Sequence, residues 1–307
     1  MILTASLLRG GDVGMNIRLI DFDSKIPNLA LMKISAYFKD YYKGSCDVGF
    51  DVQEPDRIYV SVIFTKNKQQ AAGLTSMYPQ SKVEFGGSGW SLESHLPPDV
   101  EFIKPDYDLY PSTYSQGFTT RGCIRKCQFC IVPEKEGQIA TWQHPSVFHD
   151  DRFDTCMIMD NNLFAAPDTW QKDVFSWFSD SGVKMLSPQG WDARLLTEER
   201  THLLKSVRHP KGLRFAWDNM QDEPAVIRAI NLLKAAGFNL KHDISFYVLV
   251  GFNTTFEQDL YRCNKLREWG VNAFVMQYHK KDPQLRKLAK WANRRWAYWS
   301  APFVIKG

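Results

Sequence analysis

No stretch of this chain approaches the roughly 18 uncharged apolar residues that a membrane-spanning helix needs. Its opening, MILTASLLRGGDVGM, lacks both a basic n-region and a proper apolar h-region. A membrane span and a cleaved secretory leader are therefore not expected, and the chain reads as cytoplasmic. Cysteine is scarce: there are six in 307 residues, and three of them crowd into eight positions, unlike the dispersed spacing of a secreted disulfide framework. A reducing compartment is the inference. Strong charge of one sign is also missing; the formal net charge of +4 is too small to imply nucleic acid by itself, so its distribution matters more. Heptads, low-complexity tracts and solenoid-period repeats are absent, which removes coiled coils and repeat arrays.

What is present is a hydrophobic content of 44%, enough for a large core and one big domain beside a smaller one. Met15 stands directly before the strand-like NIRLIDF, so residues 1–14 are expected to be an extension, with Met15 an alternative start. Over 15–94, IRLIDF, NLALMKISAYFKDYY, RIYVSVIF, QQAAGLTSMYP and KVEFGG alternate short apolar runs with amphipathic segments. This is the pattern of a small Rossmann-like α/β layer with a parallel sheet. Residues 95–113, rich in Pro and Asp, read as a linker. From 114 to 280, SQGFTTRG, TCMIMDNN, VKMLSPQGWD, GLRFAWDNM, ISFYVLVGFN and NAFVMQYH recur as strand candidates, each followed by a loop and a helical stretch. Six β/α units in sequence imply a partial (β/α)6 barrel, in which the chemistry belongs at the C-terminal ends of the strands. Residues 281–307 form a basic, aromatic C-terminal segment.

The stretch TTRGCIRKCQFC carries Cys123, Cys127 and Cys130 with no fourth partner close by. A structural zinc site wants four closed ligands and an ordinary ferredoxin cluster four cysteines, so three thiolates suggest a metal centre with one deliberate vacancy. A zinc knuckle completed by a distant histidine is the alternative. Cys46, Cys156 and Cys263 are isolated from one another, which argues against an auxiliary cluster. They read as buried free thiols, with Cys156 a candidate hydrogen-atom donor beside the proposed cavity.

The Cys-x3-Cys-x2-Cys spacing just after the first barrel strand, with Phe129 before the last cysteine, resembles the cluster motif of the radical S-adenosylmethionine superfamily. The resemblance spans roughly 114–280. It implies a 4Fe-4S cluster on Cys123, Cys127 and Cys130, with S-adenosyl-L-methionine chelating the free iron. Reductive cleavage then yields a 5′-deoxyadenosyl radical that abstracts hydrogen from the substrate, with flavodoxin or ferredoxin as electron donor. For the cosubstrate it points to polar groups past the strands. These are Asp160, Asn161 and Asn162, where the family usually has a Gly-Gly-Glu-like stretch, then Gln189, Asp192 and Arg194, then Asp218 and Asn219, and finally Gly251 and Asn253 in LVGFNTT. Each Asp or Asn could instead cap the helix that follows it.

The N-terminal layer resembles a truncated cobalamin-binding domain, with VEFGGSGW where those domains have a glycine-rich turn. It contains no Asp-x-His-x-x-Gly, and the nearest histidine, His95, lies in the linker. The domain is expected to be degenerate and without cobalamin. The cobalamin-bound alternative stays open, since some relatives bind it without a lower histidine ligand.

The C-terminal segment sets Lys280, Lys281, Arg286, Lys287, Lys290, Arg294, Arg295 and Lys306 against the single acid Asp282, with Trp291, Trp296, Tyr298 and Trp299 interleaved. Cations for phosphates and aromatic faces for unstacked bases are what single-stranded or flipped-base binding requires, and Trp291, Arg294, Arg295 and Trp296 are its candidates. An amphipathic helix packing its tryptophans on the barrel is the competing reading. The whole is similar to short radical S-adenosylmethionine proteins of bacteria and their DNA phages, some linked to thymidine hypermodification, which implies a modified nucleobase in DNA as substrate. A radical enzyme acting on a peptide or small metabolite, and a non-catalytic metal-binding adaptor, are the rivals.

Overall fold

Ile17 and Leu19 alternate with polar or half-buried neighbours in β1 (Asn16–Asp21) of the computed structural model, which describes residues 15–42, 47–79 and 81–304. That alternation gives the strand one apolar face, and α1 (Leu29–Tyr42) covers it. Asn28 starts the helix, its Oδ1 accepting from Leu31 N at 3.2 Å. The chain continues through β2 (Asp47–Gly49), β3 (Arg57–Ser61), the short helices α2 (Lys68–Ala72) and α3 (Leu74–Met77), and β4 (Lys82–Gly86). The four strands form a parallel sheet in the order β2-β1-β3-β4. Ile17, Leu19, Leu31, Ile34, Phe38 and Tyr59 fill one face, and Ile58, Val60, Val62 and Ala71 fill the other. β2 was not foreseen; it extends the expected three strands by one.

The chain divides into two compact units: residues up to Gly117 together with Gln143–Phe153, and Phe118–Trp142 together with residues from Asp154 onward. Residues 95–113 belong to the first. There α4 (Pro98–Glu101) buries Val100 in the α1 face, and the buried Lys33 ammonium meets Glu101 at 3.1 Å and Gln143 Oε1 at 3.2 Å. Tyr107 donates to Phe148 O at 2.6 Å, and β5 (Ser115–Gly117) is fully buried. The order reverses between β1 and β3, the place where open α/β sheets hold ligands. Here Asp23 spans it, accepting from Ile63 N at 2.7 Å, Phe64 N at 3.0 Å and Asn67 Nδ2 at 2.8 Å. The glycine-rich turn after β4 lies against backbone: a Cβ on Gly87 would stand 2.3 Å from Val62 O.

In the second unit, β6 (Thr120–Arg121) pairs antiparallel with β7 (Ala140–Thr141), enclosing the cysteine loop and α5 (Val132–Lys135). The single strand expected over 115–122 is therefore broken in two. After α6 (Pro145–Phe148), which belongs to the first unit, come β8 (Thr155–Ile158), α7 (Asp168–Ser181), β9 (Lys184–Leu186), α8 (Glu198–Lys205) and β10 (Leu213–Ala216). There follow α9 (Glu223–Ala235), α10 (Leu240–Asp243), β11 (Ile244–Val250), α11 (Phe256–Glu268), β12 (Asn272–Gln277), α12 (Pro283–Ala292) and α13 (Arg295–Ser300). β8 and β9 are parallel, as are β10, β11 and β12. Strand order follows chain order in these sheets, the arrangement that successive β/α crossovers produce. No closed barrel stands among the described residues. Between β9 and β10 the ladder shrinks to one parallel bridge, Trp191 to Phe215, after Pro188 and Gly190, whose φ of 92° turns the chain.

On β11 the burial alternates without a break: Ile244, Phe246, Val248 and Val250 are buried toward the helices, while Ser245, Tyr247 and Leu249 are half-buried on the other face. α11 opens with a full capping box, Thr255 with Gln258. No helix among the described residues is long and apolar enough to cross a membrane.

Candidate functional site

Cys123, Cys127 and Cys130 sit half-buried in the loop between β6 and β7. The loop can form because Gly122 takes a φ of 81°, where a Cβ would lie 2.1 Å from Gln138 O. Backbone donors reach two of the sulfurs: Arg125 N is 3.3 Å from Cys123 Sγ and Val132 N is 3.5 Å from Cys130 Sγ. Backbone N–H groups aimed at sulfur are a usual surrounding of cluster-binding cysteines. Burial pushes the Cys127 thiol up, and the nearby Cys130, Asp218 and Cys123 add to that while Arg194 opposes it. An uncompensated thiolate there is costly, and a bound cation would relieve the cost.

The cysteine loop lies over the C-terminal ends of the strands. Past β8, Asn161 Oδ1 accepts from Gly122 N at 3.1 Å, and Asn162 Nδ2 stands 3.5 Å from Cys123 Sγ and 3.4 Å from Asp192 Oδ2. Past β9, Asp192 is gripped by Arg125 Nε at 2.9 Å and Arg194 Nε at 2.7 Å. Burial alone would raise the Asp192 carboxyl, but the two guanidinium groups hold it below the usual range. Arg194 also reaches Asp222 at 3.4 Å. Past β11, Asn253 has a φ of 52° and donates to Gln128 Oε1 at 3.2 Å. Phe129 meets Phe252 edge-on at 5.4 Å between centroids, and Phe252 meets Tyr278 at 4.8 Å.

Several expected cosubstrate ligands are occupied by their own chain. Asp160 is buried and accepts from Thr119 N at 2.6 Å, from Thr120 Oγ1 at 2.8 Å and from the Thr119 hydroxyl. It fastens the start of the cysteine loop to β8. Burial raises its carboxyl to about 6 against the pull of those donors. Asn219 caps the turn after β10, bonding Asp222 through both its oxygen and its nitrogen. Asp218 accepts from Leu249 N at 3.1 Å, and burial raises its carboxyl too. Gly251, with a φ of 77°, donates to Asp259 at 2.9 Å, and a Cβ there would strike Leu285 at 2.5 Å, so its freedom serves the turn. Gln189 is exposed beyond β9. Asn162 differs: its Oδ1 is buried and meets no partner among the described residues.

Sequence reasoning missed the pair beneath this rim. Arg262 and Asp259 are both fully buried and 2.6 Å apart. Arg262 also donates to Trp217 O at 2.6 Å and Leu249 O at 2.8 Å, while Asp259 holds Gly251 N and Thr254 Oγ1. One ion pair thus ties down the exits of β10 and β11. The signal was there: Asp259 and Arg262 share the i, i+3, i+4, i+7 stripe with Cys263 and Leu266, where charge is out of place unless paired.

Elsewhere, Cys156 and Cys263 are fully buried, and burial pushes the Cys263 thiol up to about 12. Cys46 lies outside the described residues, as do 1–14. His95 is exposed. Of the aromatic tail, Trp291 packs on Tyr298 and Phe303 and donates to Ala301 O, and Trp299 donates to Asn272. Arg295 is bonded to Lys241 O. Trp296, at 71% exposure, and Arg294 remain open to solvent.

Among the described residues no group of three or more His, Cys, Asp or Glu side chains converges as the ligands of one metal ion would. A single ion draws its ligands to one point. A cluster takes each thiolate on its own iron, so the three sulfurs need only surround it. The donor set, three cysteines with N–H bonds to sulfur and an orphaned amide oxygen alongside, fits such a group. Neither the known protein-family models nor the curated proteins give any match to this chain.

Proposed function

We propose that this chain is a radical S-adenosylmethionine enzyme with a partial (β/α)6 barrel, acting on a nucleobase. The observation that carries the reading is the Cys-x3-Cys-x2-Cys loop lying over the C-terminal ends of parallel strands, its sulfurs met by backbone N–H groups. When bound by Cys123, Cys127 and Cys130, a 4Fe-4S cluster with S-adenosylmethionine supplies reductive cleavage of the sulfonium and a hydrogen-abstracting 5′-deoxyadenosyl radical. The chain's own residues hold and shield that chemistry. Asn162 offers a buried acceptor for the methionyl ammonium, whereas Asp160 fastens the loop and Asp192 is neutralised by Arg125 and Arg194. Phe129, Phe252 and Tyr278 form an aromatic wall on the β11–β12 side. Flavodoxin or ferredoxin is the electron donor in this reading. Cobalamin has no part in it, because the histidine motif is missing and Asp23 spans the reversal of the N-terminal sheet.

Anaerobic reconstitution tests the proposal. The protein should take up about four irons per chain and, with reductant, release 5′-deoxyadenosine, and Cys127→Ala should lose both. Unchanged release by a variant with all three cysteines replaced by alanine would end this reading. Deuterium appearing in 5′-deoxyadenosine from a labelled nucleobase, and not from a peptide or free metabolite, identifies the substrate class.

A further inference from the structure

Several Lys and Arg side chains of the second unit are held in ion pairs, as in Arg121–Glu136, Arg125–Asp192, Arg200–Asp168 and Arg262–Asp259. The groove between α12 and the end of β12 is different. It is lined by Gln277, Arg286, Lys287, Lys290, Asn293 and Arg294, with no acid among them. None of the four cations has an ion-pair partner among the described residues. The nearest acid in sequence, Asp282, caps α12, its Oδ1 accepting from Gln284 N at 2.8 Å and Leu285 N at 3.0 Å. Four positive charges equal the formal net charge of the whole chain, +4, so the remaining charges sum to zero.

The charged groups of the groove are all donors, set beside the apolar Pro283 and Ala289. Asn293 has both amide atoms committed to Val275, at 2.6 and 3.1 Å, while the buried Nε2 of Gln277 is without a partner. Arg286 and Lys290 lie one helical turn apart, so their charges repeat roughly every 6 Å along a single ridge. Arg294, beyond the end of the helix, lines the same groove. Two residues further on, Trp296 presents its indole to solvent. A line of cations beside a bare aromatic face matches a strand whose phosphates run in a row and whose bases are unstacked.

We infer that the α12 groove binds the phosphodiester backbone of single-stranded nucleic acid, with Trp296 stacking a base. The inference extends the nucleobase reading above to the strand that carries the target, and it moves the contact from Trp291 and Arg295 to Arg286, Lys287 and Lys290.

Binding of labelled oligothymidylate to the full chain, followed by anisotropy across a salt series, tests it. Each lost phosphate contact removes about 0.7 from the log–log salt slope for a single strand, so Arg286→Gln with Lys290→Gln should flatten the slope by about 1.4. Trp296→Ala should weaken binding about 5-fold or more and leave the slope unchanged. The pair Lys172→Gln and Lys265→Gln, at lysines already bonded to Glu199 and Glu268, should behave as wild type. An unaltered slope in the groove variant would overturn the inference. So would loss of binding to an acidic flavodoxin-type protein with oligothymidylate binding intact, which would assign the groove to a protein partner. Release of 5′-deoxyadenosine without nucleic acid is read on the same samples. If the wild type releases none yet binds the strand through the groove, the cluster reading falls and this one stands.

Discussion

Replacing Arg262 with methionine removes a cation that is entirely inside the protein and leaves Asp259 charged, at 0% exposure, with only Gly251 N and the Thr254 hydroxyl as donors. Two carbonyls, of Trp217 and Leu249, lose their partner as well. Stranding one member of a buried pair costs about 3–5 kcal/mol, and the orphaned carbonyls fall within that range because the effects are not additive. Against a domain stability of roughly 5–15 kcal/mol this is a large fraction. The check is urea unfolding monitored by tryptophan fluorescence, since Trp217 stacks on Trp269 at 5.6 Å beside the pair. The midpoint should fall with the slope unchanged. Adding Asp259→Asn should recover about 1–2 kcal/mol, because the amide oxygen still accepts from Gly251 while the stranded charge is gone. Amide exchange should accelerate at 218–222 and 251–255, the loops that leave β10 and β11. A variant within about 1 kcal/mol of wild type, or no recovery in the double variant, would refute the reasoning.

Other outcomes follow from the same geometry. The Asp160 carboxyl, raised by burial to about 6 from its ordinary 3.8, gives stability that is complete below 3.8 and lost as pH rises through about 6. Wild type should therefore lose on the order of 3 kcal/mol between about pH 4 and pH 7 relative to Asp160→Asn, and parallel urea midpoints across that range would contradict it. Gly122→Ala forces an L side chain to a φ of 81° and its Cβ to 2.1 Å from Gln138 O. We expect a loss of about 1–3 kcal/mol and reconstituted iron well below that of wild type, and full iron content would count against the loop's need for glycine.

How much of this was legible beforehand depends on the range of the interaction. The periodicity of IRLIDF, RIYVSVIF and ISFYVLV is local chemistry, since alternate residues on a strand meet opposite faces, and it announced a mixed α/β chain with parallel sheets. Three cysteines within eight residues are likewise a property of the chain itself. The sequence by itself therefore determined most of the strands, though not β2 or β7, together with the crowding of the thiols. It could not determine which polar groups at the strand ends were already taken. Asp160 is engaged by Thr119 and Thr120, some forty positions earlier, and Asp192 by Arg125, so their availability is a fact of three-dimensional proximity. Nor could it separate the tail's tryptophans. Trp291 and Trp296 look alike in sequence, but five residues on helical segments turn one onto Tyr298 and Phe303 and leave the other in water. The break of the first expected strand at Phe118, and the reduction of the β9–β10 ladder to one bridge, arise from turns whose cost and benefit are set by neighbours distant in sequence. Local pattern fixes which faces must be buried. Only the tertiary structure decides what meets them, because pairing energies depend on partners that the chain brings together after it folds.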